Sequence, residues 1–579
     1  MPEVKSKTQS VIDSCEQALR SKTLAENILL RQELFEKGEE RTLKEASVRE
    51  VIEYARPDLS RYLDETQRKG EKRTSKLYTS KVTTDIEMAA DAFVGNVFNP
   101  GGWFGYRMDQ LELNNVDLVQ VWLQQLKEHF DAVYIKSGFY EVLPPLVMDA
   151  FSIGDGIVYE GQDKDTQEAM FEYCELLATW FTRNRTGNFI AVHRKMCFPA
   201  LTAWERWGVE LSDDCISAAY KDPSREFCFI HAVYDRNDPM LIGMKLPKQR
   251  DFVEFWVQVD SDRNARKDTG EMTGILEQSG YHTMPFMDWP YWLKSTESIG
   301  RGPIESALVT VKRLHADHKT LMVKGQRDAA PPLKASMSLK SRTNLGPDAI
   351  TWIKSGGSED LQEIYRGSGY SSGLDLVERT EEQIEEALHL STFLMHSMAT
   401  KRMTIPEFME RAGEKAAALA PRMGLMEKYL LENIHNRTWD IEDRAGRIPP
   451  APPQLIDAVS SGQVSGKLNV RYNGPLRQAQ EQLTTQRRIA GNISMVDQLA
   501  KYNPQAAADK INVSKGIEHV LDQGDFWQDS IVSEAEIEEK NRIRQELAMA
   551  QAQSEQENMD SQTAQNMSGA LKNVEAGSE

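Results

Sequence analysis

Apolar residues recur at helical spacing up to about residue 150 and again after about 300, and at strand spacing between. Residues 1–70 set narrow apolar stripes among Glu, Lys and Arg, the pattern of amphipathic helices, and Pro57 ends the second of these after EVIEYAR. A further helical run over 83–98 closes at the turn NPGGWF, and residues 115–150 read as helix interrupted at Pro144 and Pro145. From about 151 to 297 the texture changes. GIVYEG, GNFIAVHRK, FCFIHAVYD and FVEFWVQVD have the β-branched and aromatic content of strands, with Gly, Asp and Asn turns between them. The pattern predicts an α+β section with mainly antiparallel strands inside a chain that is mainly α.

Long helices then return. Residues 303–328 carry Ile304, Ala307, Leu308, Val311, Leu314 and Leu321 on one face. At ~1.5 Å per residue that run spans about 40 Å before Pro331 and Pro332 end it. Residues 333–373, with DAITWIKSGG and LQEIYRGSG, read as a small β or irregular insert. In LDLVERTEEQIEEALHLSTFLM, Val377, Ile384, Leu388 and Met395 share one side, and Glu381, Glu382, Glu385 and Glu386 crowd the rest. Either Asp375 with Glu378 or Thr380 with Gln383 could cap its start. After HSMATKRM, Thr404, Pro406 and Glu407 start a third helix that runs to about Trp439 and kinks near Pro421. GRIPPAPPQL is a proline-rich connector, KLNVRYNGPL one strand, and 477–557 more helix; the Gln/Ser/Glu-rich end reads as disordered. There is no internal repeat.

Composition narrows the function classes. A chain of 579 residues with 40% apolar content supports a real core, and its formal charge of −19 would repel DNA on average, so any basic contacts must be local. Cys15, Cys174, Cys197, Cys215 and Cys228 are widely spaced without a CxxC pair, the pattern of separate reduced thiols. The N-terminal residues lack the apolar core of a secretory signal, and no apolar run approaches the roughly 18 residues of a membrane span.

The stretch ESIGRGPIESALVTVKRLHADH is the nearest approach to a phosphate loop. Its third glycine position is Glu305, Pro303 removes an N–H donor, and the residues before Gly300 are not strand-like. GQVSGK at 462–467 has the wrong spacing for a Walker loop. His315 and His318 lie one helical turn apart but have no recognisable third or fourth donor. A Glu-rich helix face is the pattern of a solvated surface. No catalytic, cofactor or metal constellation emerges, and the reading is of a non-enzyme.

The order of segments carries more. KLYTSKVTTDIEMAADAFVGNVFNPGGWFGYRM, FYEVLPPLVMDAFSIGDGIVYEG, YHTMPFMDWPYWLKSTESIGRGPIESALVTVKRL, the double proline and MTIPEFMERAGEKAAALAPRMGLME together resemble the portal proteins, or head-to-tail connectors, of short-tailed, podovirus-type bacteriophages. The resemblance runs from roughly residue 45 to 450. It implies the phage portal fold, with wing, stem, clip and crown regions. Residues 1–300 would be N-terminal helices and wing, 301–328 and 376–394 the two stem helices, and 329–375 the clip. Residues 395–404 would be a tunnel loop, 405–445 a long wing helix, 446–480 a connector and wing strand, 481–557 the crown and 558–579 a disordered tail. Gly300, Gly302 and Pro303 would swing the chain into the first stem helix, with Glu305 a first-turn charge. Glu381, Glu382, Glu385 and Glu386 would line the channel, where acidic walls keep DNA from sticking. Met398, Lys401, Arg402 and Met403 would form the loop that touches phosphates.

The family further implies a homododecameric ring at one capsid vertex of the virion, assembled in the host bacterial cytoplasm. It would pass double-stranded DNA in packaging and ejection. Its partners would be the terminase large subunit, major capsid and scaffolding proteins, tail adaptor and nozzle proteins, and internal core proteins, with no membrane. A non-portal adaptor or scaffold of a virion is the alternative.

Overall fold

Every strand pair is antiparallel among the described residues of the computed structural model. Those residues are 23–62, 76–163, 166–241, 250–259, 274–329, 370–393, 419–461 and 468–472, apart from short gaps inside these ranges, with a few isolated positions. The chain divides into two compact units, Met1–Thr484 and Thr485–Glu579, and every element below belongs to the first.

Helix α1 (Leu24–Glu36) starts at a capping box in which the Thr23 hydroxyl accepts from the Glu26 N–H and the Glu26 carboxylate accepts from the Thr23 N–H. Helix α2 (Glu39–Tyr54) follows, and Pro57 opens a short 3₁₀ turn as the helix break predicts. Helix α3 (Lys81–Val97) leads into strand β1 (Phe104–Met108), then α4 (Asp117–Lys136) and α5 (Phe139–Ser152). The expected interruption at Pro144 and Pro145 is absent: both lie inside α5. The break falls at Gly138, whose φ of 77° is the left-handed conformation glycine adopts without strain.

The middle section builds two sheets. Strands β2 (Asp155–Gln162), β3 (Ala169–Cys174), β4 (Thr179–Arg183) and β5 (Phe189–Pro199) precede two helices, α6 (Ala200–Trp207) and α7 (Asp213–Lys221). Then come β6 (Glu226–Asp235), β7 (Phe252–Gln258), β8 (Ile275–Tyr281) and β9 (Phe286–Pro290). One sheet has the order β3-β2-β9 and the other β4-β5-β6-β7-β8. Helix α5 packs on β2 and β3, and the main core joins it to α3, α4 and the aromatic face of β9.

The expectation of separate reduced cysteines fails for one pair. Cys197 on β5 and Cys228 on β6 are register partners, with Cα atoms 4.1 Å apart and sulfurs bonded. Sequence spacing could not reveal this, because the strand register, not the 31-residue separation, brings them together.

Beyond the sheets, α8 (Pro303–Ser306) and α9 (Leu308–Ala329) divide the expected 303–328 helix at Ala307. Short strands β10 (Leu333–Lys334) and β11 (Gln362–Glu363) pair across the insert. Helix α10 (Tyr370–Ala387) starts well before either expected cap, so Asp375 and Thr380 are interior positions; buried Thr380 bonds the Leu376 carbonyl instead. Gly373 lies inside this helix, facing Leu321 of α9. A break at His389 (φ 54°) separates α10 from α11 (Leu390–Phe393). Residues 419–426 are helical through Pro421, and the irregularity falls later, in a π turn at Glu427–Leu431 before α12 (Glu432–Arg444). That turn seats Tyr429 over Gly187 of the β4–β5 connection. Helix α13 (Pro453–Ser460) and β12 (Leu468–Tyr472) follow, and β12 pairs with β1. No helix among the described residues is long and apolar enough to cross a membrane.

Candidate functional site: a helical hairpin and its lead-in turn

Helices α9 and α10 form an antiparallel pair. Leu321 meets Gly373 while His318, earlier on α9, meets Glu381, later on α10. The predicted apolar stripes face inward: Val311, Leu314, Val377, Ile384 and Leu388 are buried. This inner half packs on α2 and α3. The outer half stands clear of them, leaving Met322, Leu374 and Leu376 exposed, and Val309 near the base is 81% exposed.

The lead-in turn is built by close backbone approach. Gly300 donates its N–H to Asp155 Oδ2 at 2.6 Å, and a Cβ at Gly300 would lie 2.6 Å from the Gly154 carbonyl oxygen. A Cβ at Gly302 would lie 2.6 Å from the Phe151 carbonyl oxygen. Neither glycine has a positive φ. The two positions are therefore glycine because the turn is pressed against the end of α5 and the start of β2. Pro303 at the first helical position then sets the direction of α8. Glu305 belongs to this clamp and not to a ligand: Lys44 Nζ donates to Glu305 at 2.5 Å and to the Gly300 carbonyl at 2.6 Å, and the Ser47 hydroxyl donates to Glu305 at 2.9 Å. A bound phosphate would have to displace these partners.

Under the turn lies a buried acid pair. Arg183 holds Asp288 through both guanidinium nitrogens, donates to the Ser298 carbonyl at 2.7 Å and sits 3.9 Å from Asp155. Burial, and next the Asp288 carboxylate, push the Asp155 carboxyl up to about 7 against the pull of Arg183 and the Gly300 N–H. Arg422 stacks on exposed Trp292 at 3.8 Å, which brings residues 419–426 against the same turn.

The far foot of the hairpin is aromatic. Phe393 packs edge-on to Phe93 at 5.4 Å and stacks on Phe151 at 6.2 Å, while Phe93 stacks on Trp289. Asn96 caps the foot by donating to the Phe393 carbonyl at 3.0 Å. Sequence reading missed both feet. Lys44, Asp155, Phe93, Asn96 and Phe393 have no local motif, and the paired glycines read only as a turn.

The four predicted acids divide into two kinds. Glu381 meets His318 at 3.3 Å and Glu385 accepts from Lys81 Nζ at 2.5 Å, so both serve packing. Glu382 and Glu386 are exposed on the outer face. His315 does not offer a metal ligand. Its Nε2 donates to the Tyr54 carbonyl at 2.8 Å, its Nδ1 accepts from the Tyr78 N–H at 3.2 Å, and burial holds its pKa below the usual value. Among the described residues no group of acids, histidines and cysteines could hold a metal. Met398, Lys401, Arg402 and Met403 lie outside the described residues.

The comparisons with known proteins agree on one assignment. The sequence profile described as bacteriophage head to tail connecting protein matches residues 31–529. That extends beyond both ends of the 45–450 resemblance. The portal protein of Salmonella phage epsilon15 is 20% identical over 536 residues, covering 91% of this chain and 92% of that one. The probable portal protein of Bordetella phage BPP-1 is 23% identical over 479 residues, covering 79% and 81%. Such matches along almost the whole chain, on a scaffold that clamps a helical hairpin at both feet, place it: the chain belongs to the bacteriophage head-to-tail connecting family, the structural proteins that serve phages as portals.

Proposed function

We propose that about twelve copies of this chain close into a ring at one vertex of the phage head and that the hairpin α9–α10 lines its central channel. The observation that carries this reading is the hairpin itself. Both feet are clamped, by Glu305 with Lys44 and by Phe393 with Phe93, while its outer half keeps Met322, Leu374 and Leu376 exposed in a single copy. Neighbouring hairpins would cover those apolar residues in a ring, and Glu382 and Glu386 would face the lumen, repelling phosphates so that DNA slides. In this scheme residues 1–300 form the wing and 329–375 the clip, the docking face for the terminase large subunit and then the tail adaptor and nozzle proteins. Residues 481–557 form the crown toward internal core proteins, and the wing meets capsid and scaffolding proteins. Met398, Lys401, Arg402 and Met403 form the loop that narrows the channel. The chain works without cofactor or catalysis, as conduit and platform. Electron microscopy of the purified full-length chain tests the proposal: closed rings with a central hole are expected, and monomers persisting across salt and concentration would sink it.

A further inference from the structure

The connection between β5 and β6 leaves the sheet as α6, reverses through Gly208 and returns as α7. Its inner side packs Ala203, Trp207 and Cys215 against Phe229 and Trp256, while Leu201, Val209 and Tyr220 are 55%, 70% and 76% exposed. At its base the half-buried Cys197 and Cys228 face each other across the strand ladder. The other two described cysteines differ. Cys174 and Cys215 are buried, and burial pushes each thiol up to about 11, which keeps them protonated and poorly reactive.

We infer that Cys197 and Cys228 are a redox-sensitive staple, a dithiol in a reducing cytoplasm and a disulfide once the chain meets an oxidising medium. The ladder on both sides, from Arg194↔His231 to Pro199↔Glu226, aligns the pair by backbone pairing, so the dithiol waits in bonding register. The oxidant is a small disulfide such as oxidised glutathione. One cysteine thiolate attacks it and releases a glutathione thiolate; the second cysteine thiolate attacks the mixed disulfide and releases the other. The pair loses two electrons and two protons, and the glutathione disulfide is reduced to two thiols. The bond then closes the α6–α7 excursion into a covalent loop. That closure falls after release from the host only if the portal reading holds; the thiol chemistry does not depend on it.

The test uses the full-length chain from a reducing bacterial cytoplasm, alkylated either at lysis or after treatment with oxidised glutathione. In denaturant the labels should fall from the five cysteines of the sequence to three, the staple removing two, with Cys197 and Cys228 joined in one linked peptide. Dithiothreitol should restore five, and the oxidised chain should be cut more slowly by trypsin within residues 200–225. Cys197→Ser or Cys228→Ser should abolish the change and Cys215→Ser leave it. A pair already joined at lysis, or five labels persisting after oxidation, overturns the inference. Ring formation seen by microscopy reads the portal proposal separately.

Discussion

The main-chain N–H of Gly300 donates to the buried carboxylate of Asp155 at 2.6 Å, so one bond ties the turn that launches the hairpin to the first residue of β2. The arrangement makes the hairpin's direction depend on the wing sheet, because Asp155 is also pressed against Asp288 and Arg183.

That carboxyl gives stability a pH dependence of known sign. Its pKa is pushed from 3.8 to about 7, so between these values the folded chain holds a proton that the unfolded chain has lost. This group's contribution to stability therefore falls as pH rises through that window and levels off above it. Asp155→Asn keeps an acceptor for Gly300 and removes the charge. Relative to wild type its melting temperature should rise from about pH 5 to 8 and be no lower than wild type at the upper end. Glu160, pushed up to about 8 by burial, has the same sign, whereas His193 and His435, which burial lowers to about 3 and about 4, act in the opposite sense below the ordinary histidine pKa. A variant profile parallel to wild type would show that Asp155 is not the responsible group.

Two glycine substitutions should move stability in opposite directions. Gly300→Ala forces a methyl to 2.6 Å from the Gly154 carbonyl and should cost about 1–3 kcal/mol in denaturant unfolding. Gly95→Ala, on α3 with nothing within 4 Å of the new methyl, should gain about 0.5–1 kcal/mol from helix propensity. Equal effects would mean that the close crossing does not constrain the turn.

The acidic face should separate by substitution. Glu385→Gln weakens the bridge to Lys81 and should lower stability by about 0.5–1 kcal/mol. Glu382→Gln with Glu386→Gln should leave unfolding within about 0.5 kcal/mol of wild type and instead slow DNA packaging in a reconstituted system. Unaltered packaging would remove these two residues from the channel wall.

Replacing Lys401 and Arg402 together with Ala should leave rings intact by microscopy and reduce packaged genome length or retention. Wild-type DNA content in such particles counts against a basic collar.

Local pattern alone determined a good deal of this protein. The strand texture of 151–297, the apolar stripes of α9 and α10 and the glycine–proline start of α8 were all legible, because side-chain period and turn chemistry are short-range properties. The order of segments also pointed to the connector family. What the pattern could not decide were contacts between residues far apart in the chain. It placed a break at Pro144 where Gly138 makes it, started α10 too late although Gly373 lies within the helix against Leu321, and treated four acids as one face although Lys81 and His318 claim two of them. Cys197 and Cys228 looked unrelated until strand register opposed them. Gly300 and Gly302 looked like freedom to turn, yet tertiary packing made them necessary for lack of space. A residue's neighbours along the chain set its conformational preference; only its neighbours across the fold decide whether that preference is kept and what the side chain is for.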